Sequence, residues 1–202
     1  MSGWWRTNRV WLAALPFCVA GAAAASSYNV KDNWYDAGLH HRIAEGSAHT
    51  WVEVHDEYTD PVGPTSRTYR VRLDAVGDTP LYPYWEDGTP APPPDGLRAV
   101  TVRLDWRAEP DQQLRGCTLA LVDEDGRRFE ADTTDACTPF EQGGPEAPSP
   151  GADERPTTGP EGEPERPASW TTNPVVLVPE DTQISEVWVY WETPDHVDLR
   201  VP

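Results

Sequence analysis

Positive charge is scarce in this sequence: 16 Lys+Arg stand against 34 Asp+Glu, for a formal net charge of -18. That balance excludes nucleic acid as a partner, because no counterion release offsets bringing so many carboxylates up to phosphates. A G-x-S-x-G elbow is absent, and Gly63-Pro64-Thr65-Ser66 reads as a turn, so a serine hydrolase has no nucleophile here. No glycine-rich phosphate loop follows any strand, and there are no internal repeats. Past residue 47 no stretch holds a helical period over three turns. The expectation is a non-catalytic protein with no cofactor and no dedicated metal site.

What the chain does have is 22 prolines, 10 Trp and 7 Tyr among 202 residues that are 38% hydrophobic. That length suits one domain with an appendage, and the aromatics can fill a core.

The appendage is N-terminal. Residues 1–9 carry Arg6 and Arg9 and no acid, and residues 10–28 form a run of 19 without charge. At about 1.5 Å per residue such a run reaches about 28 Å, close to the hydrocarbon thickness of a bilayer. All 34 acids lie beyond it. The positive-inside rule then predicts a cytoplasmic 1–9, a transmembrane helix at 10–28 and an extracellular remainder, a single-pass cell-membrane protein. Trp4, Trp5 and Trp11 on one side and Tyr28, Trp34 and Tyr35 on the other suit two interfacial belts. A cleaved signal peptide, with Ala23-Ala24-Ala25 at the cleavage site, is the alternative. Leu15-Pro16-Phe17-Cys18 is a poor lipobox, because the residue before the cysteine is bulky. Both surviving readings export the rest of the chain.

Export suits the cysteines. Cys117 and Cys137 are the two outside the N-terminal segment, an even number for an oxidising compartment. Asp125-Gly126 is a hairpin signal. Folding there sets partners whose numbers sum to about 251, which puts Cys117 opposite Thr134 and Cys137 within reach past a turn. A Cys117–Cys137 staple is expected.

Residues 29–47 read as a juxtamembrane linker and 48–202 as a β-sandwich. Alternation marks strands at 50–58, at 68–76 with Tyr69, Val71, Leu73 and Ala75 on one face, and at 98–107 with Val100, Val102, Leu104 and Trp106 inward. Further strands are expected at 114–122, 127–131, 175–178, 186–191 and 197–201. Two proline-rich loops interrupt them. Residues 80–94 hold six prolines; residues 139–167 hold eight and almost nothing apolar, which predicts a disordered or polyproline-like loop. The pattern indicates an all-β fold, an antiparallel immunoglobulin-like sandwich preceded by one transmembrane helix.

Residues 97–201 resemble the uncharacterised immunoglobulin-like domains that actinobacteria and other Gram-positive bacteria carry on exported lipoproteins and membrane proteins. The strand Arg98–Trp106, the run Leu119-Ala120-Leu121-Val122-Asp123-Glu124-Asp125-Gly126-Arg127-Arg128-Phe129, Val175-Val176-Leu177-Val178-Pro179 and the strand Val187–Trp191 carry the resemblance. It implies a fold and an address, and no site residues.

Candidate chemistry is thin. His40-His41 would need Asp36 or His55 to make a metal site. In His55-Asp56-Glu57 alternate side chains point opposite ways. Asp123-x-Asp125-Gly126 begins like a calcium loop but lacks the bidentate Glu. Aromatic residues offer more: Tyr82, Tyr84, Trp85, Trp188 and Tyr190 could form a binding patch, either exposed or packed under the 80–94 loop. The expected role is a membrane-anchored accessory or scaffold domain, contacting an envelope protein or glycan through the aromatic face and the strand near 50–58. The alternative is a sensor of calcium or cell-wall glycan.

Overall fold

In the computed structural model the described residues are 3–30, 38–82, 89–133 and 135–202. Helix α1 spans Gly3–Val30. Ten strands follow among the described residues: β1 (His41–Ser47), β2 (Val52–Asp60), β3 (Gly63–Asp78), β4 (Leu97–Arg107), β5 (Thr118–Asp123), β6 (Arg128–Glu130), β7 (Ser169–Thr172), β8 (Val175–Pro179), β9 (Ile184–Tyr190) and β10 (Asp195–Arg200).

The strands form two sheets, in the orders β1-β10-β9-β5-β6 and β2-β3-β4-β7, with β8 also paired to β4. Their apolar faces meet. Leu119, Leu121, Val187, Val189, Val197 and Leu199 from the first sheet are fully buried against Val71, Val100, Val102, Leu104 and Trp106 from the second. The inward residues expected on β4 are therefore in the core. β7 and β8 lie end to end on one edge of β4, from Arg107↔Ser169 to Leu97↔Pro179. Pro174 breaks them apart, since it cannot donate to the ladder, and its carbonyl accepts from Val102 N at 3.0 Å.

Several expectations need correction. Residues 41–47 are not linker: they form β1, paired parallel to β10, so the sandwich is not purely antiparallel. Side chains fasten that pair, with His41 Nδ1 to Asp195 Oδ1 at 2.7 Å and Arg42 Nη1 to Asp198 Oδ2 at 3.2 Å. The helix is long, but no helix among the described residues is long and apolar enough to cross a membrane. Pro16 and Gly21 interrupt its apolar run, and mainly small side chains continue it. Ala75 faces outward while Val76 packs on the core, because a bulge between Leu73 and Ala75 shifts the alternation. Gly63–Ser66 also belongs to β3. The turn sits earlier, at Pro61-Val62, with Asp60 Oδ1 accepting from the backbone N–H of Val62 and Gly63.

The 139–167 segment is not disordered. It has no regular ladder, yet Gly143, Gly144, Pro145, Pro148 and Arg166 are buried. Arginines fix it from several directions. Arg155 donates twice to Asp60 and once to Gly63 O; Arg115 pairs with Glu163 and donates to Gly144 O at 2.9 Å; Arg166 donates to Glu109 O at 2.6 Å. Arg115 crosses so close to Gly143 that a Cβ there would lie 2.4 Å from its guanidinium carbon. Composition counts apolar burial and misses such charge-assisted forks. Prolines also lower the entropy lost on ordering.

Arg67 closes one end of the sandwich. It is buried, with Nε 2.7 Å from Asp56 Oδ2 and Nη2 paired to Glu192. Its guanidinium lies 4.0 Å from the Tyr58 ring centre and 4.5 Å from that of Trp191.

Candidate functional site

The cysteine pair is bonded: Cys117 and Cys137 have Cα atoms 5.7 Å apart and are fully buried. The β5–β6 register sums to 250, from Ala120↔Glu130 to Val122↔Arg128, one short of the expected value. Thr134 lies outside the described residues. Past β6 the chain turns, Ala136 N donates to Cys117 O at 3.3 Å, and Cys137 follows. Trp170 Nε1 donates to Cys137 O at 2.8 Å, which links the disulfide to β7.

The expected aromatic patch is divided. Tyr84 and Trp85 lie outside the described residues. Tyr82 is exposed, with one isolated bridge beside it at Leu81↔Ala91. Trp188 and Tyr190 share the outer face of β9, while Val187 and Val189 are core. Neither offers an open platform: Tyr190 is buried and Trp188 half-buried, both packed with Ala120 and with Leu39, which precedes β1. Trp188 stacks on His196 at 4.2 Å between ring centres. Tyr190 donates to Glu130 Oε1 at 2.8 Å. Burial pushes the Tyr190 hydroxyl pKa up, and its bond to Glu130 adds to that. Burial holds the His196 imidazole below its ordinary range, outweighing the raising effect of a backbone hydrogen bond at Pro194. Burial, with Glu186 nearby, raises the Asp198 carboxyl against the opposing Arg42.

The outer face of the other sheet is open. Strands β3 and β4 project Arg70, Arg72, Arg103 and Arg107 from it, the outward positions of two alternating strands. Trp51, just before edge strand β2, lies among them. Its ring centre is 4.4 Å from the Arg107 guanidinium carbon, 5.1 Å from that of Arg72 and 5.8 Å from that of Arg70. Carboxylates hold the forks in place: Arg72 with Asp105, Arg103 with Asp74 at 3.2 Å, and Arg70 with Glu53 at 3.8 Å. Burial pushes the Asp105 carboxyl up, but hydrogen bonds from Arg72 and Thr171 outweigh it and leave the pKa lowered. Two shallow cavities share Arg107. One of about 440 Å³ includes Glu53, Arg70 and Gln112; the other, about 280 Å³, includes Trp51, Arg72 and Trp170. Guanidinium planes stacked on an indole offer hydrogen-bond donors along their rims and a flat apolar surface beside them.

Alternation along β3 and β4 sets these arginines outward, and sequence reasoning did not join them to Trp51. The available signal was arginine at outward positions of two strands that pair in register, with a tryptophan opening the next strand.

The remaining candidates are dispersed. His41 is held by Asp195. Asp36 lies outside the described residues. His55 is exposed, with Nδ1 3.0 Å from Thr68 Oγ1 across the β2–β3 ladder. Asp123 builds a turn: Oδ1 accepts from the backbone N–H of Asp125 and Arg127, and Oδ2 from Arg127 Nε at 2.6 Å. Burial raises its carboxyl, and those bonds outweigh this and lower it. Among the described residues no three His, Cys, Asp or Glu side chains gather as a metal site.

No protein-family model matches the chain. No curated protein matches it either. The structure aligns with that of an uncharacterised β-sandwich protein from Clostridium difficile 630, at 8% identity and TM-score 0.37, over 81% of this chain and 95% of that one.

Proposed function

We propose that this protein is a non-catalytic, exported binding module, an accessory or scaffold domain of the cell envelope, whose contact face is the outer face of β2, β3 and β4. The observation that carries this reading is Trp51 held among Arg70, Arg72 and Arg107 on an accessible sheet face. An acidic chain that gathers cations around a half-buried indole on one face has the composition of an interface anchor, where Trp and Arg dominate. The partner is an envelope protein or a glycan, which the indole and the guanidinium donors would both suit.

The disulfide supports export, since such bonds persist in oxidising compartments. In this reading α1 is the export segment that directs the domain out of the cytoplasm. The sandwich is read as immunoglobulin-like, because β10-β9-β5-β6 follows the G-F-C-C′ strand order of that fold.

A photoreactive residue placed at Glu53 or Thr171, beside Trp51, tests this in intact cells. Crosslinking to one dominant envelope component, lost on Trp51→Ala, is the expected result. Equal crosslinking from a residue at Glu124, remote in the β5–β6 turn, would refute the assigned face. The mass of the N-terminal peptide in the same experiment reports whether α1 is retained.

A further inference from the structure

The segment 139–167 and the β4–β5 connection enclose a cavity of about 340 Å³, lined by Pro110, Asp111, Gly144, Glu163, Glu165 and Arg166 among others. That volume lies at the lower end of ligand-sized pockets. Arg166 forms its inner wall and is 1% exposed. Nη2 donates to Glu109 O at 2.6 Å, and one face of the guanidinium rests 4.8 Å from the Trp170 ring centre. Nε and Nη1 are buried with no hydrogen-bond partner. Burial lowers the Arg166 pKa to about 10, against a raising influence from Asp111. A buried guanidinium whose only acceptor among the described residues is a neutral carbonyl is an uncompensated cation, which proteins rarely retain without a counter-charge.

The other charges decide which anion fits. Glu163 is already committed to Arg115 and to Gly144 N. Asp111 and Glu165 hold no ion pair among the described residues and are exposed on the rim. A dianion such as phosphate would meet both rim carboxylates on its way to Arg166. A carboxylate with an ammonium group a few bonds away would satisfy both ends. Gly144 keeps the passage open: its φ is 77°, and a Cβ there would sit 3.5 Å from Arg166 Nη1.

We propose that this cavity binds a small zwitterion, an α-amino acid or dipeptide, with its carboxylate on Arg166 and its ammonium group toward Asp111 and Glu165. The site is separate from the Trp51 face and does not depend on that face having a partner.

Calorimetric titration of the full chain tests it with four probes: alanine, alanyl-alanine, N-acetylalanine and alaninamide. The expected result is saturable binding of alanine or alanyl-alanine, with the two blocked probes at least about tenfold weaker. The double variant Asp111→Asn with Glu165→Gln, both at exposed positions, should weaken zwitterion binding about tenfold and leave N-acetylalanine unchanged or tighter. Because Arg166 variants risk misfolding, its role is read in the wild-type protein, where the Arg166 Nε–H resonance should shift with zwitterion occupancy. No saturable binding of any probe up to about 50 mM would overturn the proposal and leave Arg166 as a strut of the loop. N-acetylalanine binding as tightly as alanyl-alanine would overturn it too, in favour of a plain anion site.

Discussion

Arg67 of β3 and Asp56 of β2 form an ion pair at 2.7 Å with both side chains buried, between the rings of Tyr58 and Trp191. A pair so placed contributes less by its own attraction than by the damage its loss would do, since one buried charge would remain alone. Arg67→Met should destabilise the fold by about 3 kcal/mol, and Arg67→Met with Asp56→Leu by less than that. Urea unfolding followed by tryptophan fluorescence gives both numbers. A double variant weaker than the single would show that the pair is not the unit.

The disulfide closes a sequence separation of 20 residues beside the core tryptophans. Replacing both cysteines by serine should cost about 3 kcal/mol by loop entropy, a model-dependent figure. The same denaturation series, run with and without a reductant on the wild type, checks it.

Arg155 holds the Asp60 carboxyl below its ordinary value of 3.8, chiefly through their hydrogen bonds. Stability from a lowered carboxyl is present above the ordinary value and is lost as the pH falls through the folded one. Arg155→Gln should therefore remove part of the stability loss on the acid side of 3.8 while lowering stability at neutral pH, with Asp60 titrating nearer its ordinary value. It should also free the 139–167 loop from β3. Limited proteolysis should then cut within that loop, whereas the wild type resists.

His196, buried against Trp188, takes its proton below its ordinary value of 6.5. As pH falls below 6.5 the unfolded chain binds a proton that the folded chain refuses, so stability declines until the folded value is reached. The raised Asp198 carboxyl acts oppositely, adding stability as it protonates toward acid pH. His196→Gln should flatten the stability profile between pH 7 and pH 5. An unchanged slope would assign the dependence to other groups. Leu39→Ala, which uncovers the same cluster, should cost about 2 kcal/mol and move the His196 titration upward.

Period-two alternation made the core strands readable from the sequence: Val100, Val102, Leu104 and Trp106 could hardly face any way but inward. The same rule failed at Ala75, because a bulge adds a residue that alternation cannot announce. β1 was missed because its pairing partner lies some 150 residues away and its sequence, HRIAEGS, has little apolar content. The cover over the aromatic residues was hidden for a related reason. Trp188 and Tyr190 share one face of β9, and Leu39, which packs on it, comes from the segment read as linker. The cysteine pair was legible because both cysteines flank a single local hairpin.

The parallel pairing of β1 with β10 has a mechanical consequence. The chain enters β1 at one end of their ladder, and it leaves β10 at the other. Tension applied between the N-terminal segment and the C-terminus therefore shears that ladder along its length, loading its hydrogen bonds together instead of peeling them one by one. A domain tethered through α1 and pulled at its far end would resist with its first and last strands acting as a single clasp.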